Sequence, residues 1–220
     1  MPLISSADIT GLVLCGGRGQ RMGGVEKGLQ PYHGIPLARH ALQRLQKQVG
    51  QVAVNANRHL PDYQAMGVAV WPDMLADHPG PLAGFLTGLQ HCNTPCLLTV
   101  PCDAPRFPAD LAERLLNTLN KDQSEIAMAC GIDASEIDES GLEKSPLKPQ
   151  PVFGLMRVSV LPSLKQFLAQ GERKVELWAQ AHATSWVNFD RPQDDPLAFF
   201  NANTLEQLRF IERTSSSHTP

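Results

Sequence analysis

The residues best suited to chemistry lie in a glycine-rich, cationic stretch at positions 14–28, which reads LCGGRGQRMGGVEKG. Six of its fifteen residues are glycine, and Arg18, Arg21 and Lys27 lie among them. Glycines allow backbone N–H groups to converge on one anion, and the cations neutralise the charge of that anion. The stretch therefore favours a site for a nucleoside triphosphate, the alternative being a flexible surface loop.

Two well-known phosphate-binding loops do not fit this stretch. A dinucleotide fingerprint that begins at Gly17 requires a glycine at position 22, which is Met22. A P-loop requires Ser or Thr after its lysine, whereas Gly28 follows Lys27. The phosphates are therefore expected to be bound by a loop of another kind.

Polar side chains also lie at or just beyond the ends of three apolar, strand-like stretches. Asp103 follows one of them, and a carboxylate there suits Mg²⁺, which takes one or two carboxylates together with substrate phosphates. Asp73 follows another, and Asn55 lies near the end of a third, where its amide could bond a base or a ribose. The alternatives are that Asp103 is a helix N-terminal residue and that Asn55 is an ordinary strand-end residue.

The elements that must position these residues alternate along the chain. Short apolar stretches predict strands, and apolar residues at helical spacing predict helices. The predicted strands are 10–15, 52–56, 68–71 and 97–100, and the predicted helices are 37–48, 60–66, 81–90 and 109–120. This order predicts an α/β fold, a Rossmann-like three-layer sandwich whose mainly parallel, mixed sheet has helices on both faces. Ligands of such sheets bind at the carboxyl ends of the strands, where the glycine-rich stretch and Asp103 would meet.

The second half of the chain is less regular. It predicts strands at 126–129, 151–156 and 185–189, helices at 159–169, 175–181 and 204–211 with Thr204 as N-cap, a surface loop at 133–150 and a flexible tail at 214–220. No linker separates two domains. Residues 1–213 are therefore expected to form one domain, with a nucleotide half at about 9–125 and a substrate half at about 126–213.

Composition excludes several classes of protein. The 220 residues carry 19 Lys and Arg against 22 Asp and Glu, a formal net charge of −3, so no basic excess is available for nucleic acid. No apolar run reaches the ~20 residues of a membrane span, and residues 1–10 lack the features of a secretory signal, which favours the cytoplasm. The five cysteines form no metal or disulfide framework and are expected to be small buried apolar residues.

The glycine-rich stretch resembles the LAGGxxxRMGxxK signature of nucleotidyltransferases that activate phosphorylated substrates, with Cys15 in place of the usual alanine. Further motifs narrow the resemblance to the molybdenum cofactor guanylyltransferase (MobA) family. These motifs are NANRH at 55–59, PGPLAG at 79–84, PCDAP at 101–105, GER at 171–173 and NANT at 201–204. The resemblance covers about residues 9–208 and is weakest at 131–148, which looks longer than the family's corresponding stretch.

This resemblance implies transfer of GMP from GTP to the terminal phosphate of Mo-molybdopterin, which gives the guanine dinucleotide form and pyrophosphate, with Mg²⁺ as cofactor. Because the acceptor phosphate is already ionised, catalysis requires positioning and cations rather than a general base. The resemblance assigns the nucleotide to Leu14, Cys15, Gly16, Lys27, Asn55, Asp73 and Asp103. The resemblance also assigns the metal to Asp103. Arg21, on its place in the glycine-rich stretch, is assigned with Lys27 to the catalytic role of stabilising phosphate charge.

Binding of the acceptor, Mo-molybdopterin, is assigned to Asn201 and Asn203, which directly precede the last predicted helix. Residues two apart share a face of an extended stretch, and amides both donate and accept, which suits a pterin edge or its phosphate. The alternative is that Asn203 merely precedes the Thr204 cap. GTP and Mo-molybdopterin are the implied substrates, with transient contacts to molybdopterin-handling proteins and molybdoenzymes and no nucleic acid or membrane partner.

Rival functions stay open at this point. The nearest is another nucleotidyltransferase of the same class, such as a molybdopterin cytidylyltransferase or a sugar-phosphate nucleotidyltransferase. A GTP-binding regulatory module would need the P-loop that the chain lacks. A non-catalytic adaptor of molybdoenzymes would not require Lys27 and Asp103 together.

Overall fold

A seven-stranded sheet forms the centre of the computed structural model, which describes residues 3–15, 26–74, 80–132 and 147–215. Its strands are β1 (Ile9–Leu14), β4 (Gln51–Asn55), β5 (Ala69–Trp71), β6 (Cys96–Pro101), β7 (Ile126–Ile132), β8 (Leu147–Arg157) and β9 (Thr184–Asn188). Their order is β5-β4-β1-β6-β8-β7-β9. Strand β8 pairs antiparallel with both neighbours, and the other strand pairs of this sheet are parallel. The carboxyl ends of β1, β4, β5, β6, β7 and β9 therefore share one edge of the sheet.

Helices cover both faces of this sheet, which confirms the three-layer prediction. The helices are α1 (Leu37–Gln46), α2 (Leu60–Gln64), α3 (Pro81–His91), α4 (Leu111–Lys121), α5 (Leu161–Ala169), α6 (Val175–Gln180) and α7 (Leu205–Ser215). On one face, side chains of α1, α2 and α4 join a core with strand residues such as Val13 and Leu98. On the other face, α3, α5 and α6 pack on residues such as Leu12 and Leu97. Because successive strand side chains point to opposite faces, one apolar strand supplies both cores.

Helix α3 lies unusually close to the sheet. A Cβ on Gly88 would come within 2.6 Å of Leu12 Cδ2 and 2.7 Å of Leu97 Cδ2. The helix begins after Gly80, whose φ of 132° is one that glycine adopts readily and other residues rarely do. Glycine at position 80 therefore allows the turn from which α3 begins, and glycine at position 88 allows α3 to pack closely on the sheet.

A third, smaller cluster joins the last helix to residues 31–37. Helix α7 packs on a short hairpin, β2 (Pro31–Tyr32) and β3 (Ile35–Pro36), through Tyr32, Leu208 and Ile211. This hairpin is absent from the sequence prediction. Its turn places His33 and Gly34 at φ values of 47° and 81°, the pattern of a two-residue hairpin turn.

Two predicted boundaries in the second half are wrong. Residues 147–150 belong to strand β8 rather than to the predicted loop, of which 133–146 lie outside the described residues. Thr214 and Ser215 belong to helix α7 rather than to the predicted tail, of which 216–220 lie outside the described residues. No helix within the described ranges has the length and apolar character needed to span a membrane.

Candidate active site

Strand register brings the sequence-predicted residues to one edge of the sheet. Leu14 at the end of β1 lies opposite both Asn55 of β4 and Pro101 of β6. The backbone continues this pairing beyond the strands, because Cys15 N–H donates to Asn55 O at 2.8 Å and Cys102 N–H donates to Leu14 O at 3.1 Å. The first residues of the glycine-rich stretch therefore lie beside the loop that begins after β6.

Lys27, Asp103 and Asn203 meet at the centre of this edge. The Lys27 ammonium donates to Asp103 Oδ2 at 2.6 Å and to Asn203 Oδ1 at 2.8 Å. The side chains of Lys27 and Asp103 are 22% and 16% exposed, so a ligand can reach a pair that is otherwise well screened from water. Backbone hydrogen bonds hold Asn203 in place, since Ala202 N–H donates to Asp103 O at 2.9 Å and Asn203 N–H donates to Gln207 Oε1 at 2.8 Å.

Asp103 fits the predicted metal role. Its Oδ2 is engaged by Lys27, whereas its Oδ1 is buried and has no hydrogen-bond partner among the described residues. An unpaired buried carboxylate oxygen is costly unless something binds it. A hard divalent cation that shares its remaining positions with substrate phosphates would satisfy this atom.

Asp73 and Asn55 form a second polar group on the β5 side of the edge. Asp73 Oδ1 accepts from Asn55 Nδ2 at 2.8 Å, and its Oδ2 accepts from Asn57 Nδ2 at 2.7 Å. Asn55 also donates to Trp71 O at 2.9 Å and is only 2% exposed. Both amide protons of Asn55 are thus used within the protein, and its described contacts orient Asp73. A direct contact of Asn55 with a nucleotide stays a prediction.

Helix α3 completes this second group. A Cβ on Gly84 would come within 2.7 Å of Asn55 Oδ1. Thr87, one turn further on, is fully buried, and its hydroxyl lies 3.4 Å from Asp73 Oδ1. The absence of a side chain at Gly84 therefore allows helix α3 to pack directly against the Asn55 amide.

A buried carboxylate that sequence reasoning missed lies directly before Lys27. Glu26 Oε1 accepts from the hydroxyl of Tyr63 at 2.9 Å, and its Oε2 lies 3.1 Å from the guanidinium of Arg58. Burial, together with the neighbouring thiol of Cys15 and other groups, raises the pKa of the Tyr63 hydroxyl, which therefore stays a hydrogen-bond donor. Two features of the sequence could have pointed to Glu26, namely its position next to Lys27 and the presence of Arg58 within the NANRH motif.

The two asparagines predicted to bind the acceptor, Asn201 and Asn203, have different surroundings. Thr204 is the N-cap of α7, as predicted, because its hydroxyl accepts from Gln207 N–H at 3.1 Å while Gln207 Oε1 accepts from Thr204 N–H at 3.1 Å. The side chain of Asn203 takes no part in this cap and instead faces Lys27. Asn201 donates to Phe199 O at 3.4 Å, and Asn203 Nδ2 donates to Asn201 O at 3.2 Å.

Two predicted site residues, Gly16 and Arg21, lie outside the described residues, so their places in the site stay predictions. The cysteine prediction is confirmed for Cys15, Cys96, Cys102 and Cys130, which are buried free thiols, whereas Cys92 is half-buried. A hydrogen bond with Cys15 and burial raise the pKa of the Cys102 thiol, which keeps it protonated beneath the site.

A family model and curated relatives match most of this chain. A family model described as a MobA-like NTP transferase domain matches residues 11–185. The molybdenum cofactor guanylyltransferase of Acidovorax ebreus (strain TPSY) is 55% identical over 96% of this chain and 98% of its own length. The protein of the same name from Bordetella pertussis (strain Tohama I) is 51% identical over 96% of this chain and 100% of its own length.

Solved structures share the fold. Molybdopterin-guanine dinucleotide biosynthesis protein A from Archaeoglobus fulgidus superposes with a TM-score of 0.73 at 19% identity, covering 94% of this chain and 99% of that chain. A CMP:2-keto-3-deoxy-manno-octonic acid synthetase complexed with CTP superposes with a TM-score of 0.68 at 16% identity, covering 98% of this chain and 100% of that chain. At these identities the likeness bears on the fold alone, and it agrees with the Rossmann-like architecture described above.

Proposed function

Because the chain belongs to the MobA-like NTP transferase family, we propose that it transfers GMP from GTP to the terminal phosphate of Mo-molybdopterin and releases pyrophosphate. The observation that carries the proposal is the meeting of Lys27, Asp103 and Asn203 at the ligand-binding edge of a sheet with the family's fold. A cation neutralises phosphate charge, and a carboxylate with one free oxygen suits a divalent cation, which are the demands of a transfer between two phosphates.

In the proposed reaction, an oxygen of the acceptor phosphate attacks the α-phosphorus of GTP. The new P–O bond forms as the bond to the β-phosphate oxygen breaks, and pyrophosphate leaves with the electron pair. No proton has to be removed from the attacking oxygen, so the protein must bring two anions together and stabilise the charge of the leaving group. Lys27 is placed to neutralise phosphate charge, and Asn203 orients the Lys27 ammonium.

We assign Mg²⁺ to Asp103, through the oxygen that has no partner among the described residues. When bound, the cation would supply charge neutralisation at the phosphates, the chemistry for which carboxylate and phosphate oxygens suit it. Lys27 holds the other oxygen of Asp103 and so fixes the direction of the free one. Asp73, fixed by Asn55 and Asn57, is assigned to the base, because a carboxylate can accept two N–H groups from one edge of guanine.

The proposal also covers the protein partners and the cellular location of the enzyme. A product of this kind is passed on to molybdoenzymes, so we propose transient contacts with them and with molybdopterin-handling proteins, in the cytoplasm. Co-purification of the tagged chain with molybdoenzymes, compared between cells grown with and without molybdate, tests these contacts.

The function is tested by pyrophosphate release from purified protein with Mg²⁺, each of GTP, CTP, UTP and ATP, and Mo-molybdopterin. We expect release that depends on the acceptor and a kcat/KM for GTP at least about tenfold above that for CTP, a difference of about 1.4 kcal/mol. Preference for CTP would favour a molybdopterin cytidylyltransferase, and pyrophosphate release without acceptor would contradict transfer to molybdopterin.

A further inference from the structure

The segment that delivers Asn203 to Lys27 crosses several strands. It comprises residues 189–204, the return segment, and runs from the end of β9 at one edge of the sheet to the end of β6. It contains neither helix nor strand. Its ends are fixed by two backbone hydrogen bonds, from Phe189 N–H to Cys130 O at 2.8 Å and from Ala202 N–H to Asp103 O at 2.9 Å. A segment without internal regular structure must be positioned by the contacts made along its length.

One such contact is a buried arginine–aspartate pair. Arg114 of α4 donates from Nη1 to Asp194 at 2.8 Å and 2.9 Å, and from Nη2 to Asn188 O. Its guanidinium lies 3.8 Å from the centre of the Phe189 ring. The Arg114 side chain is 6% exposed, so this pair anchors the beginning of the return segment within the folded core.

A second pair joins the return segment to the loop that carries Asp103. Arg106 lies three residues beyond Asp103 and donates from Nε to Asp195 Oδ2 at 2.7 Å. Its Nη1 donates to the hydroxyl of Thr214 in α7 at 3.1 Å. Asp195 is itself oriented locally, because its Oδ1 accepts from Leu197 N–H at 2.9 Å. Arg106 therefore contacts both the return segment and the helix that follows it.

We propose that Arg106 and Asp195 are positioning residues for the acceptor-phosphate step. Their pair sets the distance between the Asp103 loop and the return segment, and hence the place of Asn203 against the Lys27 ammonium. The proposal rests on the proposed function. Neither residue reaches the Asn55–Asp73 group through a described contact, and Lys27 has a bond to Asp103 that does not depend on Asn203. We therefore expect loss of the pair to impair acceptor use much more than nucleotide binding.

Arg106 is a better probe than Arg114. The Arg106 and Asp195 side chains are 16% and 33% exposed, so their separation leaves no fully buried charge, whereas removal of Arg114 would strand Asp194 in the interior. Arg106→Lys keeps the charge but offers one ammonium in place of the Nε and Nη1 donors that reach Asp195 and Thr214. It should therefore recover only part of the activity that Arg106→Gln loses.

The kinetic test uses Arg106→Gln, Asp195→Asn, the double variant and a matched control. The control is Glu125→Gln, which changes a carboxylate that lies 3.1 Å from His182 Nδ1 near the start of β7, away from the site. Each single variant should lower kcat/KM for Mo-molybdopterin about tenfold and change KM for GTP less than twofold, and the double variant should be no worse than the poorer single variant. The control should behave as the wild type, even where its Tm falls as far as that of Arg106→Gln.

A second measurement is independent of activity. Hydrogen exchange of the Ala202 amide, which is bonded to Asp103 O, should accelerate at least about tenfold in Arg106→Gln and Asp195→Asn, and should stay at the wild-type rate in Glu125→Gln. Faster exchange with wild-type kinetics would overturn the positioning role, as would additive losses in the double variant or a loss shared by the control. If the wild type transfers no GMP, the proposed function fails, and unchanged Ala202 exchange would then show separately that the pair does not position the segment.

Discussion

Replacement of Asp103 by asparagine tests the metal role, because the side chain keeps its size but loses its charge and one of its two acceptor oxygens. In the structure, Asp103 Oδ2 holds Lys27 at 2.6 Å and Oδ1 has no described partner. An asparagine whose carbonyl oxygen still accepts from Lys27 presents its NH₂ group where Oδ1 was. An amide nitrogen carries no lone pair available to a hard cation, so the ligand is lost rather than weakened.

The expected effect on catalysis is large and the effect on folding is small. The Mg²⁺ concentration that gives half-maximal rate should rise at least about tenfold, which corresponds to about 1.4 kcal/mol, and the maximal rate should fall. Lys27 keeps its bond to Asn203, so the free energy of unfolding should fall by only about 1 kcal/mol and the Tm by about 2–4 °C.

The assay is pyrophosphate release at saturating GTP and acceptor across a Mg²⁺ titration, alongside a melting curve. Asp110→Asn is the matched control, since Asp110 is a carboxylate close to the same loop whose described ion pair, at 3.7 Å, is with Arg114. Its Mg²⁺ dependence should equal that of the wild type. An unaltered Mg²⁺ titration in Asp103→Asn would refute the metal role and leave Asp103 only as the partner of Lys27.

Three further predictions concern other residues. Lys27→Ala should lower kcat/KM for GTP at least about tenfold, or about 1.4 kcal/mol, and steady-state rates equal to wild type would remove Lys27 from the mechanism. Asn203→Ala should weaken use of molybdopterin, while GTP affinity, measured by calorimetry, and Tm should stay near wild type. The reason is that the Asn203 side chain lies outside the α7 cap. A fall in Tm without a loss of molybdopterin use would contradict this prediction. Burial raises the pKa of the Cys96 thiol from near 9 to about 12. The folded state thus retains this proton longer than the unfolded chain, and the stability it contributes is present below pH 9 and lost between pH 9 and 12. In urea unfolding between pH 9 and 12, the free energy of unfolding should therefore fall less steeply with pH for Cys96→Ala than for wild type. The two slopes should differ by up to about 1.4 kcal/mol per pH unit.

Sequence reasoning succeeded where a periodic pattern and strand topology act together. The alternation of apolar stretches predicted the parallel strands, and parallel strands carry whatever follows them to one edge. Lys27 and Asp103, 76 residues apart, were therefore expected to approach each other, and the structure brings them within 2.6 Å. The N-cap at Thr204 was predictable because it is decided within one helical turn.

Prediction from the sequence was wrong or incomplete where long-range packing overrides local preference. Prolines in the stretch that begins β8 suggested a loop, because proline cannot donate to a sheet ladder. The structure accommodates Pro151 through an irregularity, because Met128 lies opposite Gly154 but Ala129 lies opposite Gln150, which leaves residues 151–153 out of the register. Pro149 stays within the register, opposite Cys130. The partnership of Glu26 with Tyr63 was likewise hidden, since nothing local links residues 37 positions apart.

The contact between Lys27 and Asn203 also determines the stage of translation at which the chain can begin to catalyse transfer. The two residues are 176 positions apart. At ~5–20 residues per second, translation of this interval takes roughly 10–35 s. Strands β1, β4, β5 and β6 can assemble in that time, since their pairing is local to the first half of the chain. The nascent protein would thus hold Lys27 against Asp103 before the side-chain amide of Asn203 is present. Transfer activity should therefore begin only after the return segment has left the ribosome.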